Sequence, residues 1–100
     1  MLNVRLSTDN SVAHLEGQLT FSDHQVFRIA ASKLMEQQSR RVVIDLEKLD
    51  YIDSIGLGML LMARDEAQKS ACVLVLKRPS SQVRRMFDIS KFDTLFHVEM

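Results

Sequence analysis

The sequence holds one cysteine, one proline, three glycines and no tryptophan in 100 residues. A single thiol cannot close an internal disulfide. Cys72 lies in the apolar run ACVLVL, where a small buried hydrophobe fits better than a redox group. So little proline and glycine excludes low-complexity and fibrous chains and implies short connections. No excess of either charge exists, since 13 basic residues balance 13 acidic ones. A chain that neutralises phosphates normally carries a basic surplus, so nucleic acid is not expected as a partner. No run approaches the ~18 apolar residues of a membrane span, and MLNVRLSTDN has no apolar stretch of signal-peptide length. The expectation is a cytoplasmic protein with no membrane partner.

Catalytic signatures are also missing. Histidine occurs only at His14, His24 and His97, without metal-ligand spacing, and no cysteine pair accompanies it. Serine, histidine and aspartate match no nucleophile elbow, and GLG at 56–58 lacks the Gly-Lys-Ser/Thr ending of a phosphate loop. Neither enzyme activity, a metal nor a cofactor is expected.

What is there is a globular chain: 46% hydrophobic residues, enough for one core spanning residues 1–100 as a single domain. Leu2, Val4 and Leu6 alternate with polar residues as in a half-buried strand. The cluster Ser7–Ser11 turns the chain toward Val12, Ala13 and Leu15, making an antiparallel hairpin, and Gly17 breaks the pattern. Ser22 and Gln25 have capping-box spacing, with Phe21 and Val26 placed as a hydrophobic staple. Val26, Phe27, Ala30 and Leu34 then recur at helical spacing, and the helix is expected to fade near Gln37–Ser39.

Val42–Ile44 with Leu46, bounded by Arg41 and Glu47, reads as a strand covered on both faces. A second helix opens at Asp53 or Ser54 and runs to about Lys69. Val73–Leu76 is another apolar strand, and a third helix starts at Pro79, Ser80 or Ser81 and carries Val83, Met86 and Phe87. Thr94–Val98 is placed as a last short strand. The order is β-β-α-β-α-β-α with a closing β. That predicts an α/β fold in which an antiparallel hairpin precedes parallel strands in one mixed sheet, with about three helices packed on it.

The stretch DYIDSIGLGML at 50–60 concentrates the chemistry. At 100° per residue, Leu57, Leu60 and Leu61 form one stripe of the second helix, while Ile55, Met59 and Met62 share the opposite side. Either neighbouring helices cover that second apolar stripe, or it is a deformable methionine-bearing surface for another protein. Ser54 beside it has two readings as well. It is a helix N-cap, or it is a phosphorylation site, where the helix terminus favours an added phosphoryl charge that disrupts the apolar contact. Gly56 and Gly58 cost ~1 kcal/mol each relative to alanine in a helix, which points to close approach of another backbone, from the sheet or from a partner. Lys77, Arg78, Arg84 and Arg85 cluster about the third helix, as a solvated face or a docking rim.

These residues resemble a known family. VVIDLEKLDYIDSIGLGMLL is similar to the STAS-domain signature of bacterial anti-sigma factor antagonists, roughly Asp-Leu-Ser-Gly-Val-x-x-Ile-Asp-Ser-Ser-Gly-Leu-Gly. Asp45 and Leu46 match its start, Ile52-Asp53-Ser54 and Gly56-Leu57-Gly58 its end. VLKRPSSQVRRMFDISKFDTLF resembles the family's second landmark, a Pro-Ser-x-x-Val-x-x-x-Phe helix. The resemblance implies partner switching. The antagonist binds an anti-sigma factor or serine kinase of the ATP-using regulatory type, which phosphorylates the serine after the aspartate and lets go. A PP2C-type phosphatase then restores binding.

On that pattern Ser54 is the phosphoacceptor and Asp53 supports it, with Ile55, Gly56, Gly58, Met59 and Met62 toward the partner. The sequence departs from the family at Ile55, where a second serine is usual, and at Gln18, where an acidic residue is usual. The alternative reading is a STAS subunit of a transport complex, bound to a transporter ATPase without phosphorylation.

Overall fold

The computed structural model describes residues 1–36 and 40–100. Gln37–Ser39, where the first helix is expected to fade, lie outside the described residues. The elements follow the expected order: β1 (Leu2–Leu6), β2 (Val12–Leu19), α1 (His24–Glu36), β3 (Arg41–Ile52), α2 (Ser54–Lys69), β4 (Val73–Lys77), α3 (Ser81–Ser90) and β5 (His97–Glu99). Short 3-10 turns at Phe21–Asp23 and Phe92–Thr94 join them. Asp9 builds the hairpin turn by accepting from the Ser7 hydroxyl at 2.8 Å and from the Ser11 N–H at 3.0 Å and hydroxyl at 2.7 Å. Gly17 does not break β2. It continues the strand at φ +99, a conformation side chains rarely adopt, with the Met1 carbonyl where a Cβ would stand.

The five strands stand in sequence order, antiparallel between β1 and β2 and parallel thereafter. Right-handed crossovers between successive neighbours carry the helices to one face. There Val42, Ile44 and Leu46 of β3 and Leu74 and Leu76 of β4 join one core with Phe27 and Leu34 of α1, Leu57 and Leu60 of α2, and Val83 and Phe87 of α3. Val43 and Val75 alternate to the other face, and Val42–Leu46 is buried on both sides as its sequence predicts. Both valines are buried, and the Arg41–Glu99 ion pair (2.7 Å) joins β3 to β5 across β4.

Other boundaries shift as well, and the last strand begins at His97, after the 3-10 turn Phe92–Thr94, rather than at Thr94. The first helix is entered through Thr20 and Asp23 rather than through the Ser22/Gln25 box. The buried Asp23 carboxylate accepts from the Thr20 N–H, the Thr20 hydroxyl and the Leu2 N–H, each at 3.0 Å, tying the turn to β1. Phe21 and Val26 are both exposed and form no staple. β3 also runs past Glu47 to Ile52, because Leu49 returns to the core after one register shift against β2 and Ile52 after a second.

The first shift is fixed by Asp45, only 4% exposed, whose carboxylate accepts from the Glu47 N–H at 3.1 Å. It also meets His14 Nδ1 at 3.0 Å and the Arg78 guanidinium. Burial alone would raise the Asp45 carboxyl. The hydrogen bonds from Arg78, Glu47 and His14 and the Arg78 charge outweigh it and hold the group below the usual carboxylate range.

Candidate functional site

β2 and β3 end level with each other, Leu19 opposite Ile52, so the β2–α1 and β3–α2 turns stand side by side at the carboxyl edge of the sheet. Open α/β sheets build their sites there. Asp53 leaves β3 in extended backbone (φ −103, ψ −179), its N–H reaching the Leu19 carbonyl at 3.4 Å. Its carboxylate accepts the Gly56 N–H at 2.7 Å and its carbonyl accepts the Leu57 N–H at 3.0 Å. Asp53 is therefore the N-cap, and the capping reading of Ser54 does not hold. Ser54 is the first helical residue, exposed, and among the described residues its hydroxyl has no hydrogen-bond partner.

The two glycines separate. Gly56 is buried, and a Cβ there would lie 2.7 Å from Ile52 Cγ1 and collide with the Leu19 carbonyl. It serves the seating of α2 on β2 and is not a surface contact. A Cβ on Gly58 would have nothing within 4 Å, so no packing inside the domain demands that glycine.

The methionines separate as well. Met62 is 62% exposed and Ile55 49%, but Met59 is only 5% exposed. α1 lies beside α2, and the two enclose a groove of about 390 Å³ whose lining includes Phe27, Met35, Met59, Met62 and Ala63. Met59 fills the floor of that groove, so the contact surface expected from the sequence is corrected: Met59 and Gly56 belong to the interior. What stays outward is a strip along α2 from Ser54 through Gly58 to Met62, with Ile55 on its α1 side. Phe21, 67% exposed in the neighbouring turn, adds an aromatic ring at the same edge. The sequence pattern had assigned it to a staple, and only its position two residues past Leu19 reveals its place.

This arrangement places an exposed hydroxyl beside an exposed apolar strip. A phosphoryl group on Ser54 would meet the positive end of α2 and add roughly −1.5 to −2 charges at the edge of the strip. Among the described residues no group of three or more His, Cys, Asp or Glu could hold a metal ion, and no helix is long and apolar enough to cross a membrane.

The Mlab, STAS domain family model matches residues 2–98. A STAS-domain containing protein of Pseudomonas aeruginosa is 38% identical over 84 residues, covering 84% of this chain and 82% of its own. BtrV of Bordetella bronchiseptica, named as an anti-sigma factor antagonist, is 32% identical over 87 residues, covering 87% and 75%. Among solved structures, the Bacillus cell fate determinant SpoIIAA in its phosphorylated form matches with a TM-score of 0.67 at 20% identity, covering 100% of this chain and 92% of that one. A sulfate transporter family protein from Wolinella succinogenes matches at 0.76 and 13% identity, covering 95% and 80%, a likeness of fold alone. With its signature, sheet order and relatives in agreement, the chain belongs to the STAS domain family, on the fold of the anti-sigma factor antagonists.

Proposed function

We propose that this protein is an anti-sigma factor antagonist that works by phosphorylation-controlled partner switching. The unphosphorylated form binds an anti-sigma factor or a regulatory serine kinase, phosphorylation of Ser54 releases it, and a PP2C-type phosphatase resets the switch. The observation that carries this reading is the division of labour at the start of α2. Asp53 does the capping, which leaves the Ser54 hydroxyl exposed and uncommitted beside Gly58, Ile55 and Met62. A helix cap has no use for that second polar residue. The name of the relative BtrV and the phosphorylated form of SpoIIAA support the same reading.

The charge of a phosphoserine sits at the helix terminus, where the fold tolerates it, while a partner closing on the strip must desolvate it. A loss of ~2.7 kcal/mol in binding is about a hundredfold in affinity, within reach of one desolvated dianion. The test is a quantitative pull-down from native lysate with wild-type, Ser54→Ala and Ser54→Asp proteins, the captured proteins identified by mass spectrometry. A regulatory kinase or anti-sigma protein held by wild type and Ser54→Ala and released by Ser54→Asp is the expected result. A transporter ATPase held equally by all three would refute the switch and make the domain a subunit of a transport complex.

A further inference from the structure

β4 ends its pairing at Lys77, opposite Asp45, yet β3 runs on to Ile52. In a parallel ladder, alternate residues direct both backbone groups to the same neighbour, so the extension of β3 turns peptide groups toward a strand that is no longer there. Buried backbone groups need partners. The first turn of α3 supplies them. The Ser80 hydroxyl donates to the Leu49 carbonyl at 2.6 Å. The Gln82 carboxamide does more: Oε1 accepts the Ile52 N–H at 2.9 Å, and Nε2 donates to the Ile52 carbonyl at 3.0 Å. One donor and one acceptor on the same residue is what a strand residue of β4 would have offered. A side-chain amide reproduces it with the donor and acceptor on separate atoms, as a peptide group does.

Ile52 is fully buried and immediately precedes Asp53, whose carboxylate starts α2 one residue before Ser54. The start of α3 is itself held. Arg78 stands in the left-handed region (φ 55) just before Pro79, with its guanidinium on Asp45 and its N–H on the Glu99 carbonyl at 2.6 Å.

We infer that Gln82 is a positioning residue for the Ser54 switch: its amide replaces the missing peptide group of β4 and fixes the strand end from which Asp53 caps α2. The inference takes its functional meaning from the proposed role of Ser54, while its geometry stands without it. α3 thereby becomes a second input to the site, because any displacement of α3 against β3 loosens the turn that presents the hydroxyl.

Amide hydrogen exchange by NMR on the full chain tests this without any partner. In Gln82→Met, the Gly56 and Leu57 amides, both bonded to Asp53, are expected to exchange about tenfold faster, the equivalent of one or two net hydrogen bonds. Val43 and Ile44, in the paired middle of β3, keep their protection. Gln82→Glu, which still accepts from Ile52 but cannot donate, falls between the two, and it carries the comparison alone if Gln82→Met does not fold. Unchanged Gly56 and Leu57 protection, with losses confined to α3, overturns the inference. Because exchange is read on the free protein, a negative pull-down at Ser54 and a negative result here are separate failures.

Discussion

Gly56 and Gly58 are separated by one residue, equally disfavoured by helix propensity, and predicted to respond to the same substitution in opposite ways. At position 58 an alanine methyl meets nothing within 4 Å, so replacing glycine removes only the backbone entropy cost and stabilises the domain by ~1 kcal/mol. For a domain of 100 residues that raises Tm by about 4–8 °C. At position 56 the same methyl falls 2.7 Å from Ile52 Cγ1 and onto the Leu19 carbonyl. α2 must then lift from β2, and overpacking of that kind costs about 1–3 kcal/mol or more. Thermal melts followed by circular dichroism measure both. Binding separates the reasons for the two glycines. Gly58→Ala places a methyl in the outward strip between Ser54 and Met62, so its affinity for the partner captured by wild type should fall although its stability rises. A lower Tm for Gly58→Ala would refute the open geometry. A higher Tm with undiminished affinity would refute the idea that the partner's backbone closes on that position.

Asp53→Ala removes the cap on Gly56 and should cost ~1 kcal/mol, measurable by urea denaturation, with Asp53→Asn losing less because its side-chain oxygen still accepts. Acid should destabilise the domain through two buried carboxylates. Burial would raise both Asp23 and Asp45, but hydrogen bonds from Thr20 and Leu2 in one case, and Arg78, Glu47 and His14 in the other, hold their folded-state values below those of the unfolded chain. Their stabilising contribution is thus present above the unfolded carboxylate value of about 3.9 and is lost as pH falls through it toward the lower folded values. Stability measured from pH 6 to pH 3 should decline steeply below about pH 4.5, and Asp45→Asn should flatten that decline. An unchanged slope in Asp45→Asn would show that the carboxylate carries none of it.

Much of this architecture could be read along the chain because its strands and helices announce themselves by period. Apolar alternation in Leu2–Leu6, the run Val42–Ile44 and the spacing of Phe27, Ala30 and Leu34 each fix an element regardless of its surroundings. What could not be read depends on which element lies next to which. Helical geometry groups Met59 with Met62 and Ile55, and only the placement of α1 on the same side of the sheet makes Met59 interior. Gly56 and Gly58 are indistinguishable until Leu19 is known to lie beneath the first. Asp53 and Ser54 are both good caps by type, and the choice between them is made by backbone geometry where β3 ends. The length of β3 was hidden because its register shifts break strict alternation after Asp45. Gln82, in a polar helix start, gives no signal at all: its role exists only because β4 stops short of β3.

The strictly sequential order of the strands has a consequence for how the chain acquires its structure. Each strand pairs with the one synthesised just before it, so no segment has to wait for a distant partner to complete its ladder. Loop-closure entropy grows with the length of chain that separates two pairing segments, and here that length is never more than one crossover. The hairpin can close first, and each strand–helix unit can then dock on an edge already built, in the direction of synthesis. The last unit to arrive brings the Gln82 amide onto the end of β3, so the turn bearing Ser54 is completed only when nearly the whole domain has left the ribosome.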